Sequence, residues 1–339
     1  MAALKVLFLG GAGMIGSACV REAVDAGHDV TIVTRSAPKR ELPASVTQLR
    51  GDVRDAESLR STVGSVDADV VVNWVGFSPE HLEGHVEVFG GRIQQYVFIS
   101  TCSVYGRPVP QLPITESSPK RHAGFSYALD KLRCEEVMEQ AYRTRDFPVT
   151  IVRPFHSYDE TRIPVLPGWT AIERMRRGAP VIVQGDGTSL WSLTHSSDFA
   201  RGFTPLLGNL HAIGEDVNVV SADILTWDQI HLALAAAAGV RDPNLVHRAS
   251  EQIAVEWPNW DAVLADDFRH SMLFDTTKLR RLSPGFVPRV PFSQGARESV
   301  AWFDADPARQ IVDAELSAAF DRLAAADLRA APRVETPSG

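Results

Sequence analysis

The sequence predicts an α/β protein: a doubly wound parallel sheet with a smaller C-terminal domain. Three observations lead there. Short apolar runs alternate with helix-patterned segments through the first half of the chain. Those runs are nearly continuous in Val, Ile, Leu and Phe, as in strands covered on both faces. A glycine-rich turn follows the first run and opens the first helix pattern.

Taken in order, residues 4–9 read as a buried strand and 17–26 as a helix. A second apolar run covers 30–34 and a third 46–49, followed by a helical stretch over 56–63. Residues 70–75 and 96–100 read as strands, 127–143 as a helix and 149–153 as a strand. After Pro154 the alternation weakens and Pro and Trp increase. Residues 213–222 and 226–239 form one more strand-then-helix stretch. The segment 245–286 is turn-rich, with Trp257 and Trp260 read as packing residues. The acidic stretch 305–329 reads as a helix with a solvated face. The expected division is 1–155 for the first domain, with 190–226 returning to it, 156–330 for a mainly substrate-binding domain, and 331–339 as a frayed tail.

Composition narrows the function classes. At roughly 100–200 residues per domain, 339 residues suggest about two domains. Lys and Arg number 34 against 42 Asp and Glu, a net charge of −8. Such a chain has no general electrostatic reason to bind nucleic acid, and no nucleic-acid partner is expected. Cys19, Cys102 and Cys134 are odd in number and widely spaced, which fits neither a disulfide framework nor a zinc site. The opening 1–13 reads as strand and glycine turn, not as a signal peptide, and no stretch reaches the ~18 apolar residues of a membrane span. The expectation is a cytoplasmic protein with a small-molecule substrate, no membrane association and a homodimer as the candidate assembly.

The strongest local signal is Gly10-Gly11-Ala12-Gly13-Met14-Ile15-Gly16. Glycines at 10, 13 and 16 suit a tight turn, close approach of a pyrophosphate and close helix–strand packing; the helix N-terminus adds N–H donors. This predicts a Rossmann-type dinucleotide site with Met14 and Ile15 at the helix start. An acidic residue about 20 positions on would bind the ribose hydroxyls of NAD. Thr34-Arg35 stands there, with Lys39-Arg40 shortly after. The cofactor is read as NADP or NAD, with NADP favoured because Arg35 suits a 2′-phosphate. Asp52-Val53 is expected at the adenine. Val75 and Pro154, both at strand ends, join the expected cofactor set, as do Tyr127 and Lys131.

Tyr127 and Lys131 stand four apart, on one helix face. An ammonium beside a phenol lowers its pKa and makes Tyr a usable base. Upstream, the run Ser100-Thr101-Cys102-Ser103-Val104-Tyr105-Gly106 lies at a strand end, where a hydroxyl can polarise a substrate oxygen. His81 and His85 also stand four apart, but Gly84 weakens that helix and no metal is expected. Cys102 reads as a proton donor or as a buried inert thiol, His156 as a second acid/base or as a satisfied histidine, and Trp191 as a ring stacked on substrate or as a domain-contact filler.

Together these residues resemble the extended short-chain dehydrogenase/reductases, the NAD(P)-dependent epimerase/dehydratase family. The resemblance runs from Lys5 to about Leu282 and includes Arg153-Pro154-Phe155, Gly185-Asp186-Gly187, Thr194-His195 and Asp198-Phe199-Ala200. It places Thr101, Tyr127 and Lys131 on the family's catalytic Ser/Thr, Tyr and Lys. Segments 78–94 and 185–202 are most similar to a subgroup that also resembles chloroplast stem-loop RNA-binding proteins. The resemblance implies an epimerase or oxidoreductase acting through a keto species on a secondary hydroxyl of a sugar, nucleotide sugar or polyol-type metabolite. A non-catalytic RNA-binding or regulatory protein on the same scaffold is the alternative. Where family dehydratases carry Asp-Glu, this chain has Cys102-Ser103, which points away from water loss. His156 and Trp191 stand where sugar-nucleotide enzymes often have Asn and Arg. These four residues are therefore the candidates for substrate contact.

Overall fold

The computed structural model describes residues 3–120 and 126–326. The tail expected at 331–339 lies outside the described residues. The first half is β1 (Lys5–Leu9), α1 (Met14–Asp25), β2 (Asp29–Thr34), β3 (Thr47–Arg50), α2 (Ala56–Val63), β4 (Val70–Asn73), α3 (Pro79–Phe89), β5 (Gln95–Ile99), α4 (Ser126–Arg145) and β6 (Val149–Pro154). Strands β1, β4 and β5 bury almost every side chain, so both sheet faces must be covered. The helices supply that cover. Cys19, Val20 and Ala23 of α1 pack on one face, and Leu59, Leu82 and Met138 of α2, α3 and α4 pack on the other.

The chain continues as β7 (Ser157–Tyr158), α5 (Trp169–Arg176), β8 (Val181–Gln184), β9 (Leu190–Ser192), β10 (Thr194–His195), α6 (Ser196–Phe203), β11 (Asp216–Val219), β12 (Ile224–Thr226), α7 (Trp227–Ala237) and β13 (Leu245–Arg248). It then forms α8 (Ser250–Glu256), the one-turn α9 (Asp261–Val263), α10 (Thr277–Leu282), α11 (Phe292–Asp304) and α12 (Ala314–Ala325). The main sheet is seven-stranded in the order β11-β6-β5-β4-β1-β2-β3. All its pairings are parallel, in register Leu9↔Val33, Leu9↔Asn73 and Ile99↔Val152 at the strand ends. The order reverses between β1 and β4, and ligands of such sheets bind at the carboxyl ends of strands beside that switch.

The strand read over 213–222 is the shorter β11, which returns to the sheet edge beside β6; just after it, β12 pairs antiparallel with β9. A second core gathers Trp169, Trp191, Trp227, Phe292 and Phe320, with Trp257 and Trp260 packed on it. The 305–329 stretch is corrected here. Helix α12 is not merely solvated, because Leu316, Phe320 and Leu323 enter that core. Arg174 of α5 ties the same helix down through Ser317 and Asp321. Among the described residues no helix is long and apolar enough to cross a membrane.

Candidate active site

The chain leaves β1 through Gly10 and Gly11, whose φ values of 81° and 89° suit residues without a Cβ. A Cβ on Gly10 would stand 2.7 Å from Val75, and one on Gly16 2.5 Å from the Gly11 backbone. Helix α1 therefore lies against the turn only because position 16 is glycine. Gly13 caps α1 without a side-chain hydrogen bond, and nothing lies within 4 Å of where its Cβ would be. The positive helix end thus meets open space, with Met14 and Ile15 opening the helix. One cleft of about 230 Å³ takes in Gly10, Gly13, Thr34, Arg35, Asp52, Val53 and Val75. It adds Arg54 and Phe77, which the sequence reading did not include. A bare helix end, a turn without room for side chains and a cationic rim fit a dinucleotide. Pro154 ends β6 on the other side of the switch, paired with Val219.

The cations near the cleft are divided. Arg54 donates to Asp52 through Nε (3.1 Å) and Nη2 (2.9 Å), and holds that carboxyl down at about 2, with Arg35 adding to the effect. Arg40, read from sequence beside Arg35, instead donates to Asp159 (2.5 Å) and Thr161 (2.5 Å). Beneath the cleft at Val53 and Val75, Asn73 Nδ2 donates to the Tyr96 hydroxyl (2.7 Å), and Asn73 Oδ1 accepts from Val75 N (2.8 Å). His85 Nε2 meets the Val53 carbonyl (2.6 Å) and Nδ1 the Tyr96 hydroxyl (2.7 Å). The carbonyl can only accept, so Nε2 carries the proton and Nδ1 accepts from Tyr96. Burial holds this imidazole down at about 4. His85 is thus a neutral structural link, both nitrogens engaged, and not half of a metal pair with His81.

Thr101 follows β5, and its hydroxyl accepts from Ser103 N (3.2 Å). It is also hydrogen-bonded to Tyr127, in the first turn of α4. Lys131, one turn further, donates Nζ to Gly76 O (2.8 Å) and Ile99 O (2.9 Å). Thr101, after β5, thus meets two residues of one face of α4 at the ends of β4 and β5. Desolvation lowers the Lys131 ammonium to about 8. Burial raises the Tyr127 phenol above its ordinary value, opposed by the Thr101 hydrogen bond. The depression expected from the Tyr–Lys spacing is therefore not the dominant effect on this phenol.

Three of the four candidate substrate contacts are corrected. Cys102 is fully buried, its thiol donating to Arg153 O (3.4 Å) and pushed well up by desolvation, so it is the inert alternative. Trp191 is 1% exposed and sits between Phe155, Trp227 and Phe268, so it fills the second core and cannot stack on a substrate. His156 Nδ1 accepts from Trp191 Nε1 (2.7 Å), and desolvation holds the ring down at about 3. It is a neutral acceptor near neutral pH, not a second acid/base. Ser103 remains beside Thr101, its Oγ donating to Asp267 (3.4 Å).

Asp267 and its partner Arg107 (2.5 Å) were missed; they lie 160 positions apart, and nothing local marks them. Asp267 belongs to the segment Leu264–Phe268, wound as a rare π turn of the kind frequent at functional sites. Glu135 was also missed, although it continues the four-residue spacing of Tyr127 and Lys131. It binds Arg153 of β6, which also meets Asp216 of β11 (2.6 Å) and the Tyr105 hydroxyl (2.8 Å).

The fold and the cleft define a nucleotide-dependent α/β enzyme with a Thr–Tyr–Lys set at its switch point. The model of the NAD dependent epimerase/dehydratase family matches residues 6–220, and the chain belongs to that family, of the extended short-chain dehydrogenase/reductase type. The chain is 26% identical over 311 residues to the chloroplast stem-loop binding protein of 41 kDa b of Arabidopsis thaliana, covering 87% of this chain and 78% of that one. It is also 26% identical to the 2'-dehydrokanamycin reductase of Streptomyces kanamyceticus, over 97% of this chain and 93% of that one. Among solved structures, an epimerase from Methanothermobacter thermautotrophicus superposes with a TM-score of 0.72 at 21% identity, over 91% of this chain and 94% of that one. This last likeness bears on the fold.

Proposed function

We propose that the chain moves a hydride between a secondary carbinol of a sugar or polyol-type metabolite and NAD(P), through a keto species. The observation that carries the reading is the Thr101–Tyr127 hydrogen bond, one helical turn from buried Lys131, beside the glycine cleft. When bound, the nicotinamide cofactor accepts or returns the hydride. Tyr127 takes the carbinol proton as the carbonyl forms and gives it back on reduction. Thr101 holds the reacting oxygen next to the phenol. Lys131 would meet ribose hydroxyls of the bound nucleotide, and its ammonium favours the phenolate. Gly10, Gly13 and the start of α1 would hold the pyrophosphate, and Arg35 with Asp52 and Val53 the adenosine end.

The two buried guanidiniums nearest the site are already paired: Arg107 with Asp267, and Arg153 with Glu135. This supports a hydroxyl-rich substrate over one recognised through a diphosphate. The name of the Streptomyces relative, a reductase of 2'-dehydrokanamycin, points the same way. The test is mass spectrometry of nucleotide released from purified protein, followed by nucleotide-linked turnover on free sugars, aminocyclitols and nucleoside-diphosphate sugars. No bound or exchangeable nicotinamide nucleotide would sink the reading.

The Arabidopsis relative's name favours a second reading, binding of structured RNA. The net charge of −8 opposes it. A gel shift with stem-loop RNA across a salt series separates the two.

A further inference from the structure

We infer that Phe77 is the wall against which the nicotinamide half of the dinucleotide is held, and the cover that keeps water from Lys131. The inference rests on the dinucleotide reading above. Phe77 is 46% exposed, a large apolar ring left in solvent. It lies in the loop between β4 and α3 and lines the same cleft as Gly10, Arg35 and Val75. Its ring centre is 4.4 Å from Lys131 Nζ, and the Phe98 ring lies 4.9 Å from the same atom. The ammonium also donates to Gly76 O, one residue before the ring.

The ring is placed by a rigid support. A Cβ on Gly76 would stand 2.8 Å from Leu82 and 3.0 Å from Asn73 and Phe98, so the loop is pressed onto the sheet. Asn73 Oδ1 fixes the backbone at Val75 (2.8 Å). The cleft is thus polarised. Charged Arg35, Asp52 and Arg54 stand at one end, and an aromatic face over an ammonium stands at the other. A dinucleotide has the matching polarity, with phosphates and adenosine at one end and a flat nicotinamide ring at the other. Aromatic faces hold such rings by stacking.

The test compares complete and truncated nucleotides on the full chain. NADH and NADPH carry the nicotinamide; ADP-ribose and its 2′-phosphate lack it. Phe77→Ala is expected to weaken the complete nucleotides about tenfold, the scale of one aromatic contact, and to leave the truncated pair within about twofold. The emission change of nicotinamide on binding should fall in parallel, and Phe77→Tyr, which keeps the ring, should restore both. Equal weakening of complete and truncated nucleotides would show that Phe77 merely shapes the loop, and unchanged binding of all four would remove it from the site; either overturns the inference. Wild type that binds none of the four would remove the dinucleotide reading itself. The melting temperature of Phe77→Ala reports folding, which loss of an exposed ring should leave intact.

Discussion

Glu135 of α4 and Arg153 of β6 are joined by two hydrogen bonds, Nε to Oε1 at 2.8 Å and Nη2 to Oε2 at 2.7 Å, with both side chains fully buried. Lys120 adds a second cation to the carboxylate at 3.2 Å, and Asp216 a second anion to the guanidinium. The pair clamps α4 to the sheet one turn beyond Lys131. Glu135→Ala leaves a buried guanidinium short of its bidentate partner and should cost about 3–5 kcal/mol, as for other broken buried pairs. Urea unfolding at unchanged slope measures it. A loss under about 1 kcal/mol would show that Asp216 suffices.

His85 makes the fold acid-sensitive in a defined window. Its folded pKa is about 4, against an ordinary 6.5, so below 6.5 the unfolded chain binds a proton that the folded one refuses. Stability is therefore present above about 6.5 and falls as the pH drops toward 4. Between pH 7 and 5 this single group should remove about 2 kcal/mol. His85→Gln keeps a donor for Val53 and an acceptor for Tyr96 but does not titrate. The pH dependence of its unfolding free energy should be shallower by about that amount. Parallel curves for variant and wild type would refute the assignment.

Much of this was legible in the sequence where the signal is local. The glycine turn, the ends of β2 and β4, and the Tyr127–Lys131 spacing each sit within a few residues, so strand and helix periodicity place them. Cys102 misled because it neighbours Thr101 in sequence. The short 3-10 turn over Cys102–Val104 sends the thiol down to Arg153 O, while Thr101 and Ser103 meet on the other side. Trp191 misled because position along the chain does not report burial; its indole is covered by Phe268 from a segment 77 residues away. The Arg107–Asp267 pair had no signal at all, since only folding brings loop and π turn together. Glu135 did carry one: an acid continuing the four-residue spacing of a buried helix face.

Tyr127 is 39% exposed, and its hydroxyl is hydrogen-bonded to Thr101. Tyr127→Phe keeps the ring and removes the proton carrier. Turnover should fall about 10²–10⁴-fold, the scale of general acid–base catalysis, with nucleotide affinity nearly kept. Lys131→Met should lower both, because the ammonium is expected to hold ribose as well as tune the phenol. Steady-state rates and nucleotide titrations on the same samples separate the two effects. Near-normal turnover in Tyr127→Phe would remove the phenol from the reaction.

Arg35 follows Thr34 at the end of β2, where the adenosine ribose of a dinucleotide is expected. Two of the other cations nearby are engaged elsewhere, Arg40 with Asp159 and Arg54 with Asp52. Arg35 is the cation that lines the cleft without such a carboxylate pair, so the choice between NADP and NAD is expected to rest on it. A guanidinium meets a phosphate through two parallel charge-assisted hydrogen bonds, which no neutral group offers. Bonds of that kind are worth roughly 1.5–3 kcal/mol, or about 10–150-fold in affinity. Asp52 does not cancel this, because its carboxylate is held by Arg54 through two side-chain hydrogen bonds and one from the backbone. Wild type should accordingly prefer NADP by about that factor, and the preference should shrink as salt rises. Arg35→Asp replaces the phosphate partner with a carboxylate that accepts ribose hydroxyls and repels phosphate, so the order should reverse. Titration of both proteins with both nucleotides at fixed ionic strength decides it. If wild type binds NAD at least as tightly as NADP, the guanidinium lies over the adenine or in solvent and the ribose is read by other groups.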